Sequence, residues 1–145
     1  KQTYGKLESF KKIYDSLKQI YEKDWKYLSH LNIELIKFFI NHLNIQSEVF
    51  ISSRLNVEGN SNEKLINICK YFNADTFVVK RNTNSYHPKK LFLKNNIKFK
   101  YFSNKPMRYE QQGNNFIPYL SILDYTANCG SPLKKIIHTN NEKKF

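Results

Sequence analysis

Seven residues have types and positions suited to holding a polar ligand. Ser53, Asn56, Glu58 and Gly59 lie in one stretch, and Tyr109, Gln111 and Asp124 in another. The turn Asn56-Val57-Glu58-Gly59 separates a short apolar run from an amphipathic helix. Its backbone amides, with the helix N-terminus behind them, suit a phosphate or carboxylate. Glu58 is then placed to accept a hydrogen bond from a sugar or ribose hydroxyl, as acidic residues beside such turns do. An ordinary loop has the same composition, and Ser53 closes an apolar run as any strand end does. Tyr109 and Gln111 bring a phenol and an amide to a polar loop. Asp124, with Ser121 and Asn128 three and four residues away, marks the polar side of a helix. That side either meets solvent or faces a pocket.

Several reaction classes find no support in the residues. The four histidines His30, His42, His87 and His138 are dispersed, without the spacing of a metal site. Cys69 and Cys129 fall on the apolar faces of expected helices and read as reduced, buried small hydrophobes. No nucleophile–base pair, Walker motif or GxGxxG is present, so no cofactor and no metal is expected, and no catalytic residue can be named. His42, near a helix end, fits the dipole preference for a cation better than a catalytic role.

The elements that must position these residues follow from periodicity. A helix is expected over Lys6–Glu22, where Leu7, Phe10, Ile13, Tyr14, Leu17, Ile20 and Tyr21 recur at three and four. A second over Asn32–Leu43 is apolar on more than one side and should be largely buried. Glu48–Ser52 reads as a strand and Glu63–Phe72 as a helix, with Asn60 and Glu63 in a capping-box pattern. Thr76–Lys80 is the next strand. Together these make a βαβ unit, with ligands expected beyond the strand ends at Ser52–Gly59 and Lys80–Asn84. A helix over Pro88–Asn95, a half-exposed strand over Ile97–Phe102, a polar loop over Ser103–Asn115 and a helix over Pro118–Asn128, stopped by Gly130, complete the order. The expected fold is α/β and Rossmann-like: three layers, about three mainly parallel strands and flanking helices. One domain spans residues 1–130, with a helical lead-in over 1–45 and the βαβαβ core with its closing helix over 46–130. Residues 131–145 form a basic tail.

Length and composition set the outer bounds. A chain of 145 residues with 40% hydrophobic and 15% aromatic content can bury a core. It has no apolar run of the roughly 20 residues a membrane span needs, and no signal peptide at its first residues. A cytoplasmic protein is the expectation. The net charge of +12 admits a nucleic-acid or acidic partner. Solvated lysines scattered over helix exteriors account for it as simply, and nucleic acid is not the favoured partner.

Two segments carry a family resemblance. Ser52–Phe77 (SSRLNVEGNSNEKLINICKYFNADTF) and Phe116–Gly130 (FIPYLSILDYTANCG), with Tyr109-x-Gln111 between them, resemble the C-terminal half of the WbqC-like proteins. The shared features are the Ser-Ser pair, the Val-Glu-Gly turn, the Ile-Cys helix, the Ala-Asp-Thr entry to a strand and the Pro-x-Leu-Ser-Ile-x-Asp helix ending in Asn-Cys-Gly. The resemblance covers about residues 35–130. Where the family has a glycine-rich loop after the second strand, this chain has Lys80-Arg81-Asn82-Thr83-Asn84. The family's usual N-terminal half, with its His-Gln-Pro-Asn-Tyr-x-Pro-like strand, is not matched, so an enzyme incomplete in this chain is expected. The resemblance implies a transferase-type role in surface polysaccharide (O-antigen or other glycan) biosynthesis in bacteria. Glycyl, acyl or sugar transfer is implied, with a nucleotide, activated sugar or acyl donor as the small-molecule substrate; self-association is left open. The alternative is a non-catalytic basic module that binds nucleic acid or an acidic partner through Lys80, Arg81, Lys89, Lys90, Lys98, Lys100 and Arg108.

Overall fold

The structure, a computed structural model, describes residues 2–80, 88–103, 106 and 108–130. The chain forms two compact units, one of Lys1–Ser47 with Pro106–Phe145 and one of Glu48–Lys105. Among the described residues there are five α-helices, one 3-10 turn and a two-stranded sheet.

The first unit is helical. Helix α1 (Glu8–Tyr21) buries Phe10, Ile13 and Leu17 at helical spacing. These pack with Ala127 of α5 (Ile122–Cys129), and Leu123 joins them from the same helix. Helix α2 (Leu28–His42) adds Leu35, Phe38 and Phe39 to this cluster. The expectation that α2 is largely buried fails. None of its residues is fully buried, and Leu28 and Ile36 are 71% and 50% exposed. Its apolar residues run round the helix, but only the Leu35–Phe39 side has the α1 cluster to pack against. Trp25, between the two helices, donates its indole N–H to the Ile20 carbonyl at 2.7 Å.

The second unit holds α3 (Ser61–Tyr71), β1 (Thr76–Lys80), α4 (Lys89–Lys94) and β2 (Lys98–Phe102). The strands pair in parallel, Thr76 opposite Lys98 through Lys80 opposite Phe102. Phe77, Val79, Phe99 and Tyr101 therefore share one face. They join Ile66 and Cys69 of α3, Phe92 of α4 and Ile97 in one cluster. Phe92 is fully buried at its centre, stacked on Phe77 at 4.6 Å and edge-on to Phe99 at 5.2 Å.

Three helices stop in the same way. Asn44, Asn73 and Asn96 have φ of 53°, 52° and 59°. After each, Ile45, Ala74 and Ile97 return an N–H to the carbonyls of Ile40, Cys69 and Phe92, at 3.0, 2.8 and 3.0 Å. These are Schellman ends with asparagine at the left-handed position, where its short polar side chain tolerates positive φ.

Several expectations on the fold need correction. Glu48–Ser52 is not a strand: residues 45–51 carry no regular structure and Ser52–Arg54 is a 3-10 turn. An apolar run becomes a strand only where a neighbouring strand takes up its backbone groups, and the described ladder contains β1 and β2 alone. The strand–helix–strand unit is thus β1–α4–β2. The three-layer Rossmann-like arrangement is not what the described residues form, because the helical packing on this sheet lies on one face. The closing helix starts at Ile122, four residues after Pro118, because Tyr119 sits at φ 62° and cannot continue a right-handed helix. Asn60 occupies the N-cap of α3, but it caps through its backbone carbonyl, which accepts from Glu63 N at 3.1 Å, and not through its side chain. Cys69 is buried as expected; Cys129, the last residue of α5, is exposed. The basic tail lies outside the described residues.

Candidate functional site

Asp124 is the one ionisable side chain buried to 5% exposure among the described residues, and it lies in the first turn of α5. Its Oδ1 accepts from the Tyr4 hydroxyl at 2.9 Å and from Asn128 Nδ2 at 3.2 Å. Its Oδ2 accepts from the Tyr109 hydroxyl at 2.6 Å and from Gln111 Nε2 at 3.1 Å. Helical geometry supplies Asn128, one turn on. The other donors come from the segments before α1 and before α5, so a single carboxylate ties three parts of the first unit together.

The loop before α5 is fixed from within as well. Gln111 donates to the Ile117 carbonyl at 2.9 Å, and its Oε1 accepts the Ile117 N–H at 2.8 Å. The side-chain amide thus pairs with backbone as another strand would. Gln112 N donates to Asn128 Oδ1 at 3.2 Å. Tyr109 meets Phe116 and Tyr125 edge-on at 5.6 and 5.3 Å, and the Arg108 guanidinium lies 5.8 Å from the Phe116 ring centroid. Residues 112–115 and 117–120 stand exposed on this frame, with Tyr119 72% exposed.

The electrostatics make the phenols donors. Burial first, then the hydrogen bond to Asp124, pushes Tyr109 up to about 12. Burial and the same carboxylate raise Tyr4. Neither phenol ionises near neutrality, so each keeps its proton on the carboxylate. With both oxygens of Asp124 accepting two bonds, the carboxylate is an anchor and not a base with a free lone pair. Burial also raises the Cys69 thiol, the opposite of an activated nucleophile. Among the described residues no group of three or more His, Cys, Asp or Glu side chains could hold a metal. A depression of about 230 Å³ lined by Gly5, Phe10, Lys11, Tyr14 and Asp15 lies in the same unit. It falls below the roughly 300 Å³ at which small-molecule sites begin.

The structure gathers three of the seven sequence-selected residues, Tyr109, Gln111 and Asp124, on one carboxylate. The other four belong to the second unit. Ser53 is exposed in the 3-10 turn, and Asn56 and Glu58 are exposed. The Glu58 carbonyl accepts from Asn67 Nδ2 at 3.1 Å. Gly59 adopts φ 106°, and a Cβ there would stand 3.1 Å from the Lys64 amide nitrogen. Because no strand precedes them, their placement beyond a strand end does not hold; they precede α3 only. Of the basic set, Lys80, Lys98 and Lys100 lie on the sheet and Lys89 and Lys90 on α4. Arg108 belongs to the other unit, and Arg81 lies outside the described residues, as do Asn82, Thr83 and Asn84. Sequence reasoning missed Tyr4, 120 positions from Asp124. No local spacing links such distant residues.

A family model described as the WbqC-like protein family matches residues 1–136. The match takes in the leading helices as well as the motifs from about Leu35 onward. No curated protein and no solved structure matches the chain. No helix among the described residues is long and apolar enough to cross a membrane.

Proposed function

The chain belongs to the WbqC-like protein family, and from that premise we propose a transferase-type role in surface-glycan biosynthesis or modification. The ligand is a nucleotide, an activated sugar or an acyl donor, and the loop over residues 108–120 positions it. The observation that carries this reading is the convergence of Tyr109, Gln111 and Asp124, whose bonds hold that loop while residues 112–115 stay exposed. Fixing a loop beforehand lowers the entropy cost of binding a small polar molecule. Asn114 and Asn115 bring amide donors and acceptors to its exposed part, and Tyr119 brings a phenol. Ser53, Asn56, Glu58 and Gly59 stay in the proposal as a separate contact segment, with Gly59 and the first amides of α3 suited to an anionic group.

Thermal unfolding of the chain against nucleotides, nucleotide sugars and acyl thioesters, with a short DNA duplex as control, tests this. A ligand held only by the folded state adds roughly 2.7 kcal/mol at a hundredfold over its Kd. For a chain of this size that is on the order of 5–10 °C. The expected result is a shift by one ligand class, abolished in Gln111→Ala while that variant still unfolds cooperatively. A panel with no shift, or a shift by the duplex alone, overturns the proposal.

A further inference from the structure

The parallel register sorts the side chains of β1 and β2 onto two unlike faces. Phe77 with Phe99, and Val79 with Tyr101, meet α3 and α4. The other face carries Thr76 beside Lys98, Val78 beside Lys100 and Lys80 beside Phe102. Val78 is 54% exposed and Phe102 46%, and Lys80, Lys98 and Lys100 are exposed with them. Parallel sheets ordinarily have both faces covered, which makes this half-covered one unusual. Among the described residues its charge is mainly positive. Asp75, at the start of β1, accepts from the Thr76 hydroxyl at 2.9 Å and pairs with Lys98 at 3.4 Å. The Thr76 bond first, then Lys98 and more weakly Lys100, hold its carboxyl below the usual range. Among the described residues, Lys98 and Lys100 thus stand on this face beside one acid, Asp75.

We propose that this open face is the docking surface for an amphipathic helix of a partner protein, its apolar stripe flanked by Asp and Glu. Two strands about 4.8 Å apart and five residues long present a strip roughly 17 Å in length. One helix, about 10 Å across and rising 1.5 Å per residue, covers that strip in roughly three turns. Val78 and Phe102 give the stripe its apolar contact, and the lysines around them select acidic flanks. A positive patch of this kind fixes the partner's register and speeds its encounter more than it adds affinity. The face fits nucleic acid less well: single-strand platforms use several stacking aromatics with arginine. Here the described face carries one aromatic ring, Phe102, and its cations are lysines. This inference stands apart from the small-ligand reading, since its residues belong to the other unit.

The experiment is fluorescence anisotropy of the full chain with labelled designed peptides of about four helical turns. The first has a leucine stripe flanked by glutamates. A second has the same composition scrambled to break the stripe, a third has lysines in place of the glutamates, and a labelled DNA duplex is run beside them. The acidic striped peptide is expected to bind saturably. Lys100→Glu and Val78→Ser should each weaken it by about tenfold, with the far-ultraviolet circular dichroism of both variants unchanged. The inference is overturned if no peptide saturates, if the scrambled or lysine peptide binds as well, or if the variants bind like the parent. Tighter binding of the duplex would make the face a polyanion site. Self-association lost in Lys100→Glu on ultracentrifugation would make its occupant a second copy. Either result also overturns the helix assignment.

Discussion

Replacing Asp124 should damage the first unit by an amount that depends on how many of its bonds the replacement keeps. In Asp124→Ala the hydroxyls of Tyr4 and Tyr109 lose their acceptor, while the amides of Gln111 and Asn128 lose one acceptor each and keep the carbonyls of Ile117 and residue 124. A hydrogen bond to a charged group contributes about 1.5–3 kcal/mol, and a buried donor left unsatisfied costs about 1–3 kcal/mol. Only part of that is expected, since Tyr4, Tyr109, Gln111 and Asn128 are half-buried and water can reach them. The expected loss is about 3 kcal/mol. Asp124→Asn keeps one oxygen for Tyr4 and Asn128, and the Tyr109 hydroxyl can turn to accept from the new amide. The Gln111 amide then meets another donor, so the loss should be about half as large. Urea unfolding followed by Trp25 fluorescence is the assay, because this single tryptophan sits in the same unit, tied to Ile20. At a slope of about 2 kcal/mol/M, Ala should lower the midpoint by roughly 1.5 M and Asn by roughly half that. An Asp124→Ala protein within about 0.5 kcal/mol of the parent, as for an ordinary surface change, would refute the anchoring role. So would an Asn variant as damaged as Ala.

The Tyr109 phenol ionises near 10 when unfolded and at about 12 when folded. Its contribution is therefore complete below pH 10 and is lost as pH rises toward 12. The fall in urea midpoint over that window should be shallower in Tyr109→Phe, though not flat, since Tyr4 and Tyr125 are raised too; equal slopes would refute the assignment. Gly59→Ala should destabilise by about 1–3 kcal/mol, read as earlier loss of helical ellipticity in urea. Its φ of 106° disfavours any side chain, and the Cβ would press on the Lys64 amide nitrogen, which cannot give way as a flexible side chain can. A neutral or stabilising alanine, as expected where only unfolded-chain entropy changes, would contradict that geometry.

What was legible in the sequence was local. The Phe10–Ile13–Leu17 stripe, the α3 face through Ile66 and Cys69, and the strands at Thr76–Lys80 and Lys98–Phe102 all follow from periodicity, and the structure has them within two residues. Gly130 ends α5 as its position suggests. The errors share one physical cause. Whether Val49, Phe50 and Ile51 form a strand depends on a neighbour to take up their backbone groups, and burial of α2 depends on what covers its second side. Neither is written in the segment itself. The same holds at the candidate site. Asp124 and Asn128 are a helical spacing apart and could be seen together. The reach of Tyr4 to Asp124 comes only from α1 packing beside α5 through Phe10 and Ala127.

The arrangement around Asp124 also limits what the family motif can do chemically. Burying a carboxylate costs several kcal/mol, and four donors offset that cost without leaving a vacant lone pair. A group so occupied is a poor general base, and the raised phenols beside it are poor ones too at neutral pH. In the proposed function, Tyr109, Gln111 and Asp124 would therefore act on a ligand only through what they hold in place. Gln111 is the hinge of that influence, because one amide bonds both the buried carboxylate and the Ile117 backbone. Removing it frees the loop while Asp124 keeps its tyrosine and asparagine donors. If the proposed ligand binds there, Gln111→Ala should lose binding with little loss of stability, whereas Asp124→Ala should lose both, as ligand titration beside urea unfolding of the two variants would show.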